Sequence, residues 1–303
     1  MNKEKIKKFL SLPTSDIIYL ANKIKKENIP NNKTELCSII NARSGACSED
    51  CKFCAQSCHY NTNIPVYPMI DKKEMLEQAK IAKNNGAKRF GIVTSGNSLS
   101  KNEIKYIAEI INEITQKIGI NVCASLGKLD IETLKLFKSA GLTRYHHNIE
   151  TSEKYYSQIV STHTFSDRLE TLKNGKQAEI EMCSGGIIGI GETWDHRIDM
   201  ALTLKNLDID AIPLNVFIPI KGTPLYKTNP ISCIDFIKTI ALFRFVMPNK
   251  TIKLAAGREH IMKDFQALAF MAGANGMIIG GYLTIKGRSV EDDQKLFKEA
   301  QYL

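Results

Sequence analysis

The chain has 303 residues, of which 43% are hydrophobic, 8% aromatic and 24% charged, the profile of a folded globular protein rather than a disordered or fibrous one. Its N-terminus lacks the apolar core of a signal peptide, and no apolar run reaches the roughly 18 residues a membrane-spanning helix needs, so the chain reads as cytoplasmic with no membrane partner. The net charge of +9 comes mainly from lysines interleaved with acids on helical faces, with no arginine stripe or aromatic–basic alternation, which argues against nucleic acid.

In chain order, residues 1–34 read as an N-terminal helical cap, 35–285 as a core and 286–303 as a C-terminal helix, all one domain. Within the core, β-rich apolar stretches recur: "ELCSIINA", "KRFGIVTSG", "INVCASLG", "LTRYHHNIE", "IEMCSGGIIGIG", "DAIPLNVFIPI", "TIKLAAG" and "GMIIGG". Amphipathic helical segments lie between most of them, at 71–85, 101–117, 130–140, 165–177, 195–206, 232–247 and 264–272. Asp71, Ser100, Asp130 and Ser166 stand at helix starts, and Gly86, Gly119 and Gly141 at helix stops. About eight strands alternating with helices predict an α/β fold, a closed (β/α)8 TIM-type barrel preceded by helices. An open doubly wound sheet is the alternative, but no G-x-G-x-x-G opens a helix after the first strand.

A barrel of this kind gathers its chemistry at the C-terminal ends of strands. The polar and sulfur residues cluster there: a three-cysteine loop after the first strand, Cys123 on the third, "HHNIET" at the end of the fourth, Cys183 on the fifth, Asn215 on the sixth and Arg258 after the seventh. The loop, "GACSEDCKFC", spaces Cys47, Cys51 and Cys54 as C-x3-C-x2-C. In a reducing compartment such a cluster points to metal or catalysis rather than disulfides. Structural zinc needs a fourth ligand, which Cys58 or His59 can supply. The other reading is an iron–sulfur cluster on three thiolates, with one iron open to a substrate or cofactor.

C-x3-C-x2-C in that second role resembles the radical S-adenosylmethionine superfamily. The resemblance implies a [4Fe–4S] cluster on Cys47, Cys51 and Cys54, with S-adenosylmethionine on the open iron and Phe53 near its adenine. "SGACSEDCKFCAQS", "RYHHNIETS", "EMCSGGIIGIGET", "PLNVFIPIKGTPL" and "LAAGRE" with "FMAGAN" narrow it to the biotin synthase family, over about residues 35 to 285. That family inserts sulfur from an auxiliary iron–sulfur cluster into dethiobiotin. An unactivated C–H bond is beyond acid–base chemistry near neutral pH, so a radical cofactor has to carry such a reaction.

By the same resemblance, Cys123 and Cys183 match auxiliary-cluster ligands, and Arg258 matches an arginine ligand of that cluster. The other reading of Arg258 is a buried ion pair at the barrel mouth, since a guanidinium stays charged. Asn148 and Asn215 match dethiobiotin ureido contacts, Glu150 an S-adenosylmethionine ribose contact, and Arg168 a residue near the methionyl carboxylate. Arg43 replaces a lysine near the substrate carboxylate, and "GIIGIGE" resembles the segment along the adenine. His146 and His147, lacking ligand spacing, read as packing or hydrogen-bonding residues, and Cys233 as a surface helix residue. The family further implies a homodimer and an electron donor of the flavodoxin or ferredoxin type.

One departure stands out. Gly91 occupies the second strand where many members carry a third auxiliary cysteine, and Cys37 on the first strand is the residue placed to compensate. Members lacking that cysteine carry a larger auxiliary cluster in place of [2Fe–2S], and this chain resembles that subgroup. Two rival readings are another small-barrel superfamily member, such as an iron-only hydrogenase maturase, and a non-catalytic metal protein.

Overall fold

The strands are β1 (Glu35–Arg43), β2 (Arg89–Thr94), β3 (Asn121–Ser125), β4 (Leu142–His146), β5 (Glu181–Cys183), β6 (Gly186–Ile188), β7 (Ala211–Val216), β8 (Thr251–Leu254) and β9 (Gly276–Ile278). In the computed structural model, which describes residues 2–30, 34–283, 287–300 and 302, they form one sheet in the order β5-β4-β3-β2-β1-β9-β8-β7-β6. β5 and β6 are halves of the single expected fifth stretch, and both pair with β7, which closes the ring. All the pairings are parallel, so the result is the expected barrel of eight staves.

The break in the fifth stave has a local cause. A Cβ on Gly185 would lie 1.9 Å from the Pro213 carbonyl oxygen, and one on Gly186 would lie 2.1 Å from that of Glu150. Only glycine lets the strands approach this closely, and Pro213 lacks an N–H for regular pairing.

The helices are α1 (Lys3–Leu10), α2 (Thr14–Asn28), α3 (Lys72–Asn84), α4 (Lys101–Glu113), α5 (Ile131–Ala140), α6 (Glu153–Ile159), α7 (Phe165–Gln177), α8 (Trp194–Asn206), α9 (Cys233–Val246), α10 (Arg258–Met262), α11 (Gln266–Met271) and α12 (Val290–Ala300). Asp71, Ser100 and Asp130 each accept a backbone N–H at their helix start, as expected. Ser166 does not: α7 spans the expected 165–177, and its cap is Thr164, because Thr164 and Asp167 close a reciprocal capping box. The expected helix 101–117 relaxes into a π-turn over Ile114–Ile118 that Gly119 ends at φ 69°. The expected 264–272 segment splits into a 3-10 turn (Lys263–Phe265) and α11, and α6 and α10 were not foreseen.

α9, "CIDFIKTIALFRFV", is apolar nearly all round and almost wholly buried. Such a helix needs cover on every side. The barrel supplies one side, and α1 and α2 the other, with Phe9 stacked on Phe245 at 4.3 Å between ring centroids. No helix among the described residues is long and apolar enough to cross a membrane. Residues 284–286, where the core was expected to hand over to a C-terminal helix, lie outside the described residues; α12 follows them.

The inner face follows from period two and the register. β1 sets Cys37 beside Arg89 of β2 and Ile278 of β9. Gly91 of β2 faces Cys123 of β3, and His146 of β4 faces Cys183 of β5. The residues that carry sulfur and charge are thereby brought to the same interior.

Candidate metal and cofactor site

The cysteine loop leaves β1 through Gly45 at φ 72° and Ala46 at φ 51°, which turn the chain sharply. It folds on its own backbone: Cys47 N–H donates to the Gln56 carbonyl at 3.0 Å, Cys58 N–H to that of Cys47 at 2.8 Å and Cys54 N–H to that of Cys51 at 2.9 Å. Cys54 Sγ accepts backbone N–H bonds from Gln56 and Ser57, a setting that favours negative sulfur. Cys47, Cys51 and Cys54 are all free. Burial nevertheless pushes the Cys54 thiol up to about 11 and the Cys51 thiol further, so metal binding there displaces protons.

The zinc alternative fares poorly here. Cys58 is exposed, and His59 Nε2 lies 2.9 Å from the Ser48 carbonyl, so neither offers a ready fourth ligand. Among the described residues no three Cys, His, Asp or Glu side chains close around a single ion. Three soft thiols on one self-bonded loop, Cys54 among them accepting backbone N–H bonds, would suit an iron–sulfur cluster.

A cavity of about 420 Å³ fills the barrel's interior. It runs from Phe53 and Cys54 of the loop to Cys37, Cys123 and Cys183 on three separate strands, so the last cysteine of the loop and the strand cysteines border one space. Gly91 lines it as well, and a Cβ there would lie 3.9 Å from the Cys123 Cβ. The same Cβ would lie 3.1 Å from Ile39 Cγ2, so Ile39 packs against the position as well.

Beneath these thiols lies a buried charge network that the sequence reading missed entirely. Lys253 Nζ donates to Cys37 Sγ at 3.0 Å and pairs with Glu35 at 2.5 Å. Arg144 pairs with the same Glu35 oxygen at 2.6 Å and Arg89 with the other at 2.8 Å, while both arginines also reach Glu181. Burial alone would raise the Glu35 carboxyl, but Lys253, Arg144 and Arg89 together hold it well below the usual range. Burial pushes the Cys37 thiol up to about 12, with Lys253 opposing. Three cations against the carboxylates of Glu35 and Glu181 leave one net positive charge near the cysteines, a setting that favours negative sulfur.

Arg258 is not in that network, which corrects the expected ligand role. Its side chain is fully buried behind the cavity wall and does not line the cavity. It pairs with Asp293 at 2.7 Å and Glu259 at 3.2 Å, donates to Gln266, and donates from Nε to the Tyr282 hydroxyl at 3.0 Å. The alternative reading, a buried ion-pair arginine, is the one observed. The cation facing Cys37 is Lys253, five residues earlier.

Arg43 is a second correction. A register shift between Asn41 and Arg43 turns it off the cavity, and it donates to the Ser95 carbonyl from Nε at 3.0 Å and to Glu103 at 2.6 Å. Its guanidinium is committed to holding the β2–α4 loop.

Apart from Cys47 and Cys51, which lie outside its lining, the remaining expected residues line the cavity. Asn148 Oδ1 accepts from Gly185 N–H at 2.9 Å, and its Nδ2 donates to Glu150 at 3.3 Å. Asn215 is held similarly, accepting from Ala256 N–H at 3.1 Å and donating to the Gly186 carbonyl at 3.3 Å. Glu150 adopts φ 63°, a strained conformation outside glycine, and burial pushes its carboxyl up. His146 Nδ1 lies 3.4 Å from Cys183 Sγ, and burial holds its imidazole down at about 4, so it is neutral there. Arg168 faces the cavity from α7, with Nε donating to the Tyr156 hydroxyl at 2.9 Å. In the segment after β6, Glu192 accepts N–H bonds from Gly189 and Ile190 and pairs with Arg197 at 2.7 Å, which fixes "GIIGIGE" in place.

Comparison with known proteins agrees with this geometry. The Radical SAM superfamily pattern matches residues 42–204, and that of the Biotin and Thiamin Synthesis associated domain matches residues 213–303. β1 pairs with both β2 and β9, so the two matches build one ring. The chain is 51% identical to a biotin synthase of Thermotoga petrophila over 97% of either chain. It is 48% identical to one of Clostridium tetani, over 94% of this chain and 87% of that one. Among solved structures, methylornithine synthase (PylB) superposes with a TM-score of 0.85 at 19% identity, covering 98% of this chain and 92% of that one. The FeFe-hydrogenase maturase HydG from Carboxydothermus hydrogenoformans superposes with a TM-score of 0.81 at 18% identity, covering 96% and 73%. At such identities these two speak for the fold alone.

Proposed function

Because the chain belongs to the biotin synthase family of radical S-adenosylmethionine enzymes, we propose that its cavity converts dethiobiotin to biotin between two iron–sulfur sites. The observation that carries this is the single cavity lined at once by the loop cysteine Cys54, the strand cysteines Cys37, Cys123 and Cys183, and the amides Asn148 and Asn215. The loop cluster with S-adenosylmethionine supplies hydrogen-atom abstraction, and the auxiliary cluster supplies sulfur.

The chain's own residues bind, orient and insulate. Cys47, Cys51 and Cys54 would hold the loop cluster, and three thiols rather than four would leave room there for the amino-acid end of S-adenosylmethionine. Phe53 and Glu150 flank its nucleoside, and Arg168 receives its carboxylate. Asn148 and Asn215, each pinned by backbone, offer a donor and an acceptor to the cyclic urea of dethiobiotin. Fixed partners mean the substrate meets pre-set groups rather than ordering them on binding.

For the auxiliary site the reading takes Cys37, Cys123 and Cys183 as ligands and a cluster larger than [2Fe–2S]. The support is that Cys37, Cys123 and Cys183 all line the one cavity while Gly91 offers no thiol. Lys253, Arg144 and Arg89 compensate its charge. A homodimer and a flavodoxin- or ferredoxin-type donor complete the reading by family likeness.

The test is anaerobic turnover of dethiobiotin with S-adenosylmethionine and a reductant, after reconstitution with iron and sulfide. Biotin should form with the wild type and not with Cys54→Ala. No biotin from fully loaded wild-type protein would sink the reading.

A further inference from the structure

The cysteine loop is tied to the segment after α6, and through it to the cavity. Asp50 accepts N–H bonds from Ser161 at 2.8 Å and Thr162 at 3.2 Å, and Lys52 N–H donates to the Ile159 carbonyl at 2.9 Å. Beside these contacts, Glu49 Oε2 lies 2.7 Å from His163 Nδ1, and His163 Nε2 lies 2.8 Å from Arg168 Nη2. His163 is buried, with its ring edge-on to Tyr156 at 5.9 Å between centroids.

The chemistry of the partners fixes the imidazole. A guanidinium has donors and no acceptor, so the Nε2 that meets it must carry a lone pair. The ring proton is then on Nδ1, where the Glu49 carboxylate accepts it. One tautomer satisfies both neighbours, and the three side chains form a directed chain from the cysteine loop to a cavity-lining arginine.

We infer that His163 is a positioning residue that couples the cysteine loop, through Glu49, to the guanidinium of Arg168. This rests on the reading of Arg168 as the contact for the S-adenosylmethionine carboxylate. That molecule binds the loop cluster and Arg168 with the same amino-acid end, so the two anchors have to keep a fixed separation. A rigid imidazole between them holds it without occupying the cavity, since His163 is not among the cavity-lining residues. Arg168 Nη1 also lies 3.5 Å from His147 Nε2, and the guanidinium N–H groups not turned to Tyr156, His163 and His147 remain for a carboxylate.

The experiment measures S-adenosylmethionine affinity by anaerobic equilibrium dialysis on reconstituted protein, with iron and sulfide content checked for each variant. His163→Leu is expected to weaken binding about tenfold, the scale of one hydrogen bond to a charged group. His163→Gln, whose amide can donate to Glu49 and accept from Arg168, should restore it to within about threefold, a rescue that a purely space-filling role does not give. Wild-type affinity in His163→Leu, or no rescue by His163→Gln, overturns the inference. Should His163→Leu fail to load its cluster, Glu49→Gln is read instead. It should weaken binding about threefold by removing the charge behind the imidazole, and unchanged binding overturns the inference equally. Arg168→Lys separates the two levels: unchanged affinity there defeats the underlying reading of Arg168. Loss there beside wild-type affinity in His163→Leu defeats the inference alone.

Discussion

Lys253 Nζ reaches Cys37 Sγ at 3.0 Å although β8 and β1 are not neighbours; β9 lies between them. Their side chains meet inside the ring because both point inward, and Glu35 holds the amine there from below. On the proposed reading, a lysine on β8 organises the auxiliary site. Lys253→Met should leave the loop cluster in place and lower the iron and sulfide held at the strand cysteines. Equal iron and sulfide in variant and wild type would remove Lys253 from the site.

Arg258 provides the contrasting case. Arg258→Met leaves Asp293 buried without its partner, which should cost about 3 kcal/mol and lower the melting midpoint. The auxiliary-cluster Mössbauer signals should be unaffected. Altered signals with stability intact would return Arg258 to the ligand set.

Lys25 gives a pH dependence independent of the metal sites. Its amine is buried in α2 and donates to the Phe270 carbonyl at 2.7 Å. Burial, then Arg244 and Lys26, lowers its pKa to about 8. The unfolded chain keeps that proton up to roughly pH 10.4, so between these values the unfolded state binds more protons and stability rises with pH. Below about 8 both states are protonated and the destabilisation is fully present. Urea denaturation of metal-free protein should show the wild type gaining on Lys25→Met between pH 7 and pH 10; a constant difference would contradict this.

Gly185→Ala tests the seam that sets the two asparagines. The added Cβ meets the Pro213 carbonyl, and Gly185 N–H is the donor that orients Asn148. Overpacking of this kind costs about 1–3 kcal/mol. The KM for dethiobiotin should rise more than that for S-adenosylmethionine, and equal rises would place the effect elsewhere.

Much of this was legible in the sequence because the signals are local. The loop spacing, the strand–helix alternation and the caps at Asp71, Ser100 and Asp130 depend on neighbours within a few residues. What failed was facing. Arg43 reads as cavity-directed until the register shift between Asn41 and Arg43 turns it away. Arg258 follows β8 and points behind the wall, whereas alternation along "TIKLAAG" sets Lys253 and Ala255 inward. A lone lysine between apolar residues in a strand was the available signal. The Glu35–Arg144–Arg89 network could not be read, since its members come from strands far apart in the chain. His163 was hidden for the same reason: its meaning lies in Glu49, 114 residues away.

The account's central claim is that sulfur leaves the strand cysteines' site and enters dethiobiotin in the same cavity. Protein reconstituted with isotopically heavy sulfide, freed of excess and given dethiobiotin, S-adenosylmethionine and a reductant under anaerobic conditions, should release biotin carrying the heavy isotope. Cys183→Ala, loaded at its loop cluster, should release none. Biotin without the label from the wild type, or labelled biotin at wild-type yield from Cys183→Ala, would contradict the claim.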